Sequence, residues 1–117
     1  MFKKDVEYDW SQLYPSAITV CDVHGVIVAM NSASRKNFSK YGGGDLIGTS
    51  LFDCHPEAAN IKIRKMLHSQ QAETYIVENK GKKRLIHQAP WYNHGEFAGL
   101  VETSIDLAGD IHERKRN

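Results

Sequence analysis

The sequence predicts an α+β domain: one antiparallel sheet of five strands, with the helices packed on one face of that sheet. Three observations support this fold class. The first third of the chain contains two runs rich in β-branched residues, the middle contains one long stretch with helical spacing, and the last third contains three further β-rich runs. An antiparallel sheet with helices gathered on one face satisfies this order.

Composition limits the class of protein. The chain has 117 residues, enough for one domain with its own core and too few for two. Its 15 basic and 14 acidic residues give a net charge of +1, so bulk charge indicates neither nucleic acid nor an anionic membrane as a partner. No apolar run reaches the length of a membrane span, and no signal peptide is recognisable. The two cysteines, Cys21 and Cys54, show no pairing pattern, so we expect a cytoplasmic protein without direct nucleic-acid or membrane contacts.

Residues 1–16 are predicted to form an N-terminal helical segment. The helix is expected to begin at about Asp5 or Asp9, and Pro15 ends it. The apolar residues of this segment recur at helical spacing and are Val6, Trp10, Leu13 and Tyr14. Because a short amphipathic helix must bury such a face on its own domain or on a partner, we expect the segment to take part in a homodimer.

The domain proper is predicted to span residues 17–107 and to begin with a hairpin. Its strands are expected at 17–22 and 26–30, and the turn between them contains Gly25.

A short helix is predicted to follow this hairpin. Asn31 stops the second strand, and Ser32 or Ser34 can cap a helix toward Phe38. The glycines at 42–44 then predict a flexible break.

The longest helix is predicted at residues 56–69. Pro56 suits the first position of a helix, and Glu57 suits the positive end of the helix dipole. One face of this helix is apolar and is expected to turn inward; it carries Ala59, Ile63, Met66 and Leu67. Pro56 also holds the preceding residue, His55, in an extended conformation at the mouth of the helix.

Three strands are predicted in the last third, at 73–79, 82–92 and 97–106, each pair joined by a glycine-containing turn. Pro90 indicates a sheet edge or a bulge near the end of the second of these strands. Residues 108–117 are polar and basic and are predicted to form a connector.

The cavity between the long helix and the sheet is the natural ligand site, and His55 is placed to reach into it. The alternative is that His55 is a partly exposed residue at the helix entrance, bonded to water or backbone. No nucleophile elbow, phosphate loop or His-Glu-x-x-His motif is present, and we do not expect an enzyme.

The order of elements and several motifs resemble the PAS family of sensor domains, from about Ile18 to Asp106. The motifs that carry the resemblance are Asp22-x-x-Gly25, Val28-x-x-Asn31-x-Ala33, Leu46-Ile47-Gly48-x-Ser50-Leu51-Phe52, Gly99-x-Val101 and Ser104-Ile105-Asp106. The resemblance implies a PAS-like sheet and a regulatory module that senses a small molecule or gas, or that mediates dimerisation. It also implies an output domain or a partner signalling protein.

A narrower resemblance lies in His55-Pro56-Glu57 and the apolar positions that follow. This stretch is similar to the haem-binding PAS domains of carbon-monoxide-responsive transcription regulators. The similarity implies haem as cofactor, with His55 as the iron ligand. In those regulators a methionine from the strand after the helix supplies the second axial ligand, and residues 73–78 contain none. Tyr75 or His87 could stand in, a gas or water could fill the position, or haem could be absent. The residues predicted to contact a cofactor are therefore His55, Ile63, Met66, Leu67, Tyr75 and His87.

Other interpretations of these residues remain open. His87 shares a strand face with Leu85, Ala89 and Trp91; that face either lines the cavity or is the outer side of the sheet, and a core or interface histidine is the favoured interpretation. Tyr75 is compatible with a packing aromatic. The function expected from the sequence is ligand sensing, with a cofactor-free dimerisation or protein-interaction module as the alternative.

Overall fold

The computed structural model describes residues 8–53 and 57–116. The elements are α1 (Trp10–Leu13), β1 (Ala17–Asp22), β2 (Ile27–Met30), α2 (Ser32–Asn37), α3 (Glu57–Ser69), β3 (Glu73–Asn79), β4 (Lys82–Asn93) and β5 (Glu96–Leu107). Three short 3-10 turns lie between α2 and α3, at Ser39–Tyr41, Gly43–Leu46 and Leu51–Asp53.

The five strands form one sheet in the order β2-β1-β5-β4-β3, and every neighbouring pair is antiparallel. The predicted α+β fold with a five-stranded antiparallel sheet is confirmed. The strand bounds agree with the predicted ones to within about a residue, because alternation and tight turns fix both ends of each hairpin. The central strand, β5, connects the two hairpins and comes last in the chain.

The turn between β1 and β2 is held by Asp22. Its Oδ1 atom accepts hydrogen bonds from the backbone N–H groups of His24 at 2.9 Å and Val26 at 3.0 Å. Gly25 takes the positive φ of +81° that this turn requires. The Asp22-x-x-Gly25 motif is therefore a turn-forming device.

Asn31, and not Ser32 or Ser34, caps α2. Its Oδ1 accepts from the backbone N–H of Ser34 at 3.0 Å, so the sequence-based assignment of the cap was wrong. The same oxygen accepts from Ile18 N at 2.9 Å, and the side-chain amide donates to the carbonyl oxygens of Ser16 at 2.9 Å and Tyr14 at 3.4 Å. One buried side chain thus ties the N-terminal segment to β1 and α2.

The glycine-rich stretch is not the predicted flexible break. It forms two 3-10 turns whose backbone packs against α2, and Gly43 is buried. A Cβ atom at Gly43 would lie 3.2 Å from the carbonyl oxygen of Arg35, and the backbone φ of Gly43 is +56°. Glycine is needed here for close packing as well as for backbone conformation.

Helix α3 packs its apolar face on the sheet as predicted. Ile63 and Met66 are each 5% exposed and form the core with Cys21 of β1 and Leu100 of β5, and Leu67 is half-buried against them. The predicted start of the helix at Pro56 lies outside the described residues.

Pro90 lies in β4 beyond the last residue of that strand that pairs with β3. The β3–β4 pairing reaches only from Asn79↔Lys82 to Glu73↔Gln88, so among the described strands Pro90 is paired on one side only, with Leu100 of β5. A register shift follows between Trp91 and Tyr92. The predicted edge or bulge is confirmed.

The N-terminal segment is described only from residue 8, so the predicted helix start at Asp5 lies outside the described residues. Helix α1 has a single turn, capped by Asp9, and none of its residues is buried. Residues 108–116 have no helix or strand. None of the described helices combines the length and the apolar character needed to cross a membrane.

Candidate functional site

A cavity of about 320 Å³ lies between α3 and the sheet, and we call it the helix cavity. Helix α3 contributes one side and strands β3, β4 and β5 form the floor. The lining residues are Ala58, Ala59, Lys62, Ile63, Glu73, Tyr75, Gln88 and Glu102. This volume is at the lower end of the range for small-molecule sites in proteins, about 300–1,000 Å³.

The floor carries a row of residues that crosses the whole sheet. The strand register places one residue of each strand side by side across the sheet. Met30 pairs with Thr19, Thr19 with Glu102, Glu102 with Gln88, and Gln88 with Glu73. These five residues come from five different strands, and the last four are polar. We call the four polar members, Thr19, Glu102, Gln88 and Glu73, the polar row.

Hydrogen bonds involve three of the four members of the polar row. Gln88 is only 7% exposed, and its Nε2 donates to Glu102 Oε2 at 3.3 Å. At the other end, the hydroxyl oxygens of Thr19 and the fully buried Ser34 lie 2.6 Å apart, which connects the row to α2. Satisfied polar groups of this kind fix a unique arrangement in an otherwise apolar layer.

The charge on the floor is negative. Two ion pairs are found among the described residues, Arg64–Glu57 at 3.1 Å and Arg84–Asp106 at 3.2 Å, and neither involves Glu73 or Glu102. Burial raises the pKa of the Tyr75 phenol, and the negative charges of Glu102 and Glu73 raise it further. Tyr75 is thus a neutral hydrogen-bonding group at neutral pH.

A second cavity of about 220 Å³ lies between the sheet and the 3-10 turns, and we call it the loop cavity. Its lining is mostly apolar and consists of Thr19, Ile27, Met30, Phe38, Tyr41, Leu46, Leu51 and Glu102. A narrow space of about 20 Å³ lies between the two cavities and is also lined by Thr19 and Glu102. Glu102 therefore lines both cavities.

Comparison with known proteins identifies the family. A family model described as the PAS fold matches residues 12–110. The chain belongs to the PAS fold family. No curated protein sequence matches the chain significantly.

Solved structures of PAS and sensor domains have the same fold. The PAS domain of a protein from Colwellia psychrerythraea matches with a TM-score of 0.64 and 18% identity, over 84% of this chain and 91% of that one. A sensory box sensor histidine kinase from Vibrio cholerae matches with a TM-score of 0.60 and 18% identity, over 85% and 86%. The Aer2 receptor from Vibrio cholerae, described as a dual PAS-haem oxygen sensor, matches with a TM-score of 0.59 and 14% identity, over 80% and 95%. At these identities the likeness shows the fold.

The PAS domain brings only some of the predicted site residues to the helix cavity. Ile63 and Tyr75 line it. Met66 and Leu67 pack in the core beside it instead. His55 lies outside the described residues.

His87 lies on the opposite face of the sheet. It alternates with the buried residues Ile86 and Gln88, is exposed, and its Nδ1 lies 2.7 Å from the hydroxyl oxygen of Thr74 on that outer face. The structure therefore does not bring His87 to the cavity, because neighbouring residues of a strand point to opposite faces.

The sequence-based interpretation missed the polar row of this PAS domain. The alternation of inward and outward residues along β4 and β5 indicates it. Gln88 follows the inward residue Ile86 by two positions, and Glu102 follows the inward residue Leu100 by two. A polar residue at an inward position of a strand points to a functional or structural network. Only the strand register shows that these residues share one level.

The described residues offer no metal site and one notable thiol. Across residues 8–53 and 57–116, no three His, Cys, Asp or Glu side chains are grouped to hold a metal ion. Burial raises the pKa of the Cys21 thiol, and nearby Asp22 and Glu102 add to this effect. A buried, neutral thiol is chemically inert, so Cys21 is a core residue.

Proposed function

We propose that this PAS domain senses a signal by binding a small molecule in the helix cavity and relaying its presence through the ends of the chain. The observation that carries the proposal is the cavity of about 320 Å³ between α3 and the sheet, with a hydrogen-bonded polar floor. Such a combination of apolar walls and a few fixed polar groups is typical of ligand sites. The Vibrio cholerae proteins of the same fold, a sensor histidine kinase and an oxygen sensor, are consistent with a sensory role and with a signalling partner or output domain.

The relay is supported by two connections. Glu102 lies on β5, five residues before the end of that strand at Leu107, where the C-terminal segment begins. At the other end of the polar row, Thr19 contacts Ser34 of α2, and α2 shares its cap, Asn31, with the N-terminal segment. A ligand that shifts the floor would therefore bias both termini between alternative arrangements.

The proposal is tested by filling the cavity. Ala59 is a small, half-buried residue of α3 that lines it, so Ala59→Phe should block ligand entry. Ile61→Phe adds an aromatic ring on the exposed side of the same helix and is the matched control. We expect that dialysis against a metabolite extract, followed by mass spectrometry, shows a small molecule enriched by the wild type and by Ile61→Phe but not by Ala59→Phe. Absence of any enrichment by the wild type would contradict ligand sensing in this cavity.

Haem is the specific cofactor that the His55-Pro56-Glu57 resemblance suggests, and the described lining does not fit it. A porphyrin ring needs apolar walls on both faces, and its propionates need cations. Ala59 and Ile63 supply one apolar wall and Lys62 one cation, but the opposite wall carries the carboxylates of Glu73 and Glu102.

A haem titration tests this point directly. We expect only the broad absorption of unbound haem for the wild type. A sharp Soret band that is lost in His55→Ala and kept in His87→Ala would instead establish His55 as the iron ligand.

A cofactor-free dimerisation module is the second candidate function, favoured by the exposure of the N-terminal segment. Trp10 and Leu13 are 69% and 78% exposed, so the described part of the domain leaves most of their apolar surface uncovered. Large apolar side chains placed together on a surface mark a protein interaction site.

A further inference from the structure

The polar row contains two carboxylates without a cationic partner among the described residues. Glu102 is half-buried, accepts one hydrogen bond from Gln88, and lines both cavities. Glu73 is half-buried at the other side of the helix-cavity floor. Since a carboxylate withdrawn from water is costly unless it is paired, a cation delivered by a ligand would stabilise this arrangement.

We propose that the helix cavity binds a small ligand through a protonated amine that donates hydrogen bonds to the Glu102 carboxylate. This inference rests on the proposed function, because it names the ligand class of that same cavity. A carboxylate offers about four acceptor positions, so the bond from Gln88, the one found to Glu102 among the described side chains, leaves room for an ammonium group. Glu73 lies two strands away and adds to the negative potential.

The other residues of the cavity define the rest of the ligand. Among the described lining residues, Lys62 alone is cationic, so with Glu73 and Glu102 the described lining has an excess of negative charge. Tyr75 experiences this field, since both carboxylates contribute to the raised pKa of its phenol. Ala58, Ala59 and Ile63 form an apolar wall opposite the floor. A compact primary amine with an aromatic or aliphatic body matches this combination of wall, floor and volume.

The test uses three probes of nearly equal size: 2-phenylethylamine, which is a cation, 2-phenylethanol, which is neutral, and phenylacetate, which is an anion. Each is titrated into the full chain at pH 7 and followed by the amide NMR signals of α3 and β5. We expect the amine to bind at least about tenfold more tightly than the alcohol or the acid, as charge-assisted hydrogen bonds predict. Glu102→Gln, which preserves shape and removes charge, should abolish this preference.

Glu96→Gln is the matched control, because Glu96 is an exposed residue at the start of the same strand. It should bind the amine as the wild type does, and Glu73→Gln should weaken binding less than Glu102→Gln. The inference is overturned if the alcohol or phenylacetate binds as tightly as the amine, or if Glu102→Gln retains the preference. In both cases the cavity still takes a ligand and the proposed function stands. The inference also fails if no probe binds, whereas the proposed function is decided separately by the Ala59→Phe experiment.

Discussion

At the scale of single residues, the pKa of Tyr75 depends on burial and on the negative charge of the cavity floor. Burial, with the charges of Glu102 and Glu73, raises its pKa above the ordinary value of 10.0. The folded protein therefore holds the phenolic proton more tightly than the unfolded chain. The resulting stabilisation is fully present below about pH 10 and is lost as the pH rises toward the folded-state pKa.

We therefore expect Tyr75→Phe to lose less stability than the wild type between pH 9 and pH 11. The measurement is the urea midpoint at several pH values in this range. Tyr92→Phe, an exposed tyrosine of the β4–β5 hairpin, is the control. Cys21, whose thiol pKa is also raised, is present in all three proteins, so the difference isolates Tyr75. Identical pH profiles for wild type and Tyr75→Phe would contradict the raised pKa of the Tyr75 phenol.

Met66 shows how directly burial could be predicted from helical spacing. It was expected on the inward face of the long helix, and it is 5% exposed in the core. Met66→Ala should lower the free energy of unfolding by about 2–5 kcal/mol, because it leaves a void among residues that cannot collapse onto it. His68→Ala, at an exposed position two residues later, should have little effect. Equal denaturation midpoints for the two variants would mean that Met66 does not pack in the core.

At the scale of elements, Asn31 joins three parts of the chain. Its side chain bonds the N-terminal segment at Tyr14 and Ser16, β1 at Ile18, and α2 at Ser34. Asn31→Ala removes a helix cap and leaves buried backbone groups without partners, and we expect a loss of at least about 2 kcal/mol in unfolding free energy. Asn37→Ala, at an exposed position on α2, is the matched control. A chemical denaturation series that places both variants together would refute the joining role of Asn31.

The same element scale shows what the sequence could and could not predict. Both hairpins and α3 follow from local alternation, turn residues and helical spacing, so their bounds agree closely with the structure. The glycines at 42–44 were interpreted as a flexible break because composition alone does not show that Gly43 and Gly44 pack against Arg35 of α2. The polar row could not be predicted because four strands supply its members, and only their register places Thr19 beside Glu102 and Gln88 beside Glu73.

At the scale of the whole molecule, the sheet connects the cavity with both ends of the chain. The floor of the helix cavity lies on its inner face, β5 leads from Glu102 to the C-terminal segment, and the Asn31 bonds lead to the N-terminal segment. The N-terminal segment also holds several of the most exposed large apolar residues among those described, and its Trp10 and Tyr14 rings lie 6.3 Å apart in an edge-on contact. A partner that covers this segment would therefore lie close to the residues that the cavity can influence.

We expect that partner to be a second copy of the chain. Trp10→Lys should weaken the homodimer at least about tenfold, because a charge would replace an aromatic side chain whose burial contributes about 1.5–3 kcal/mol. Multi-angle light scattering across micromolar concentrations measures the effect. Tyr41→Lys places the same charge at a similarly exposed aromatic residue on the 3-10 turns and should leave the dimer intact. A wild type that stays monomeric throughout this range would exclude dimerisation through the N-terminal segment, and equal weakening by both variants would place the interface elsewhere.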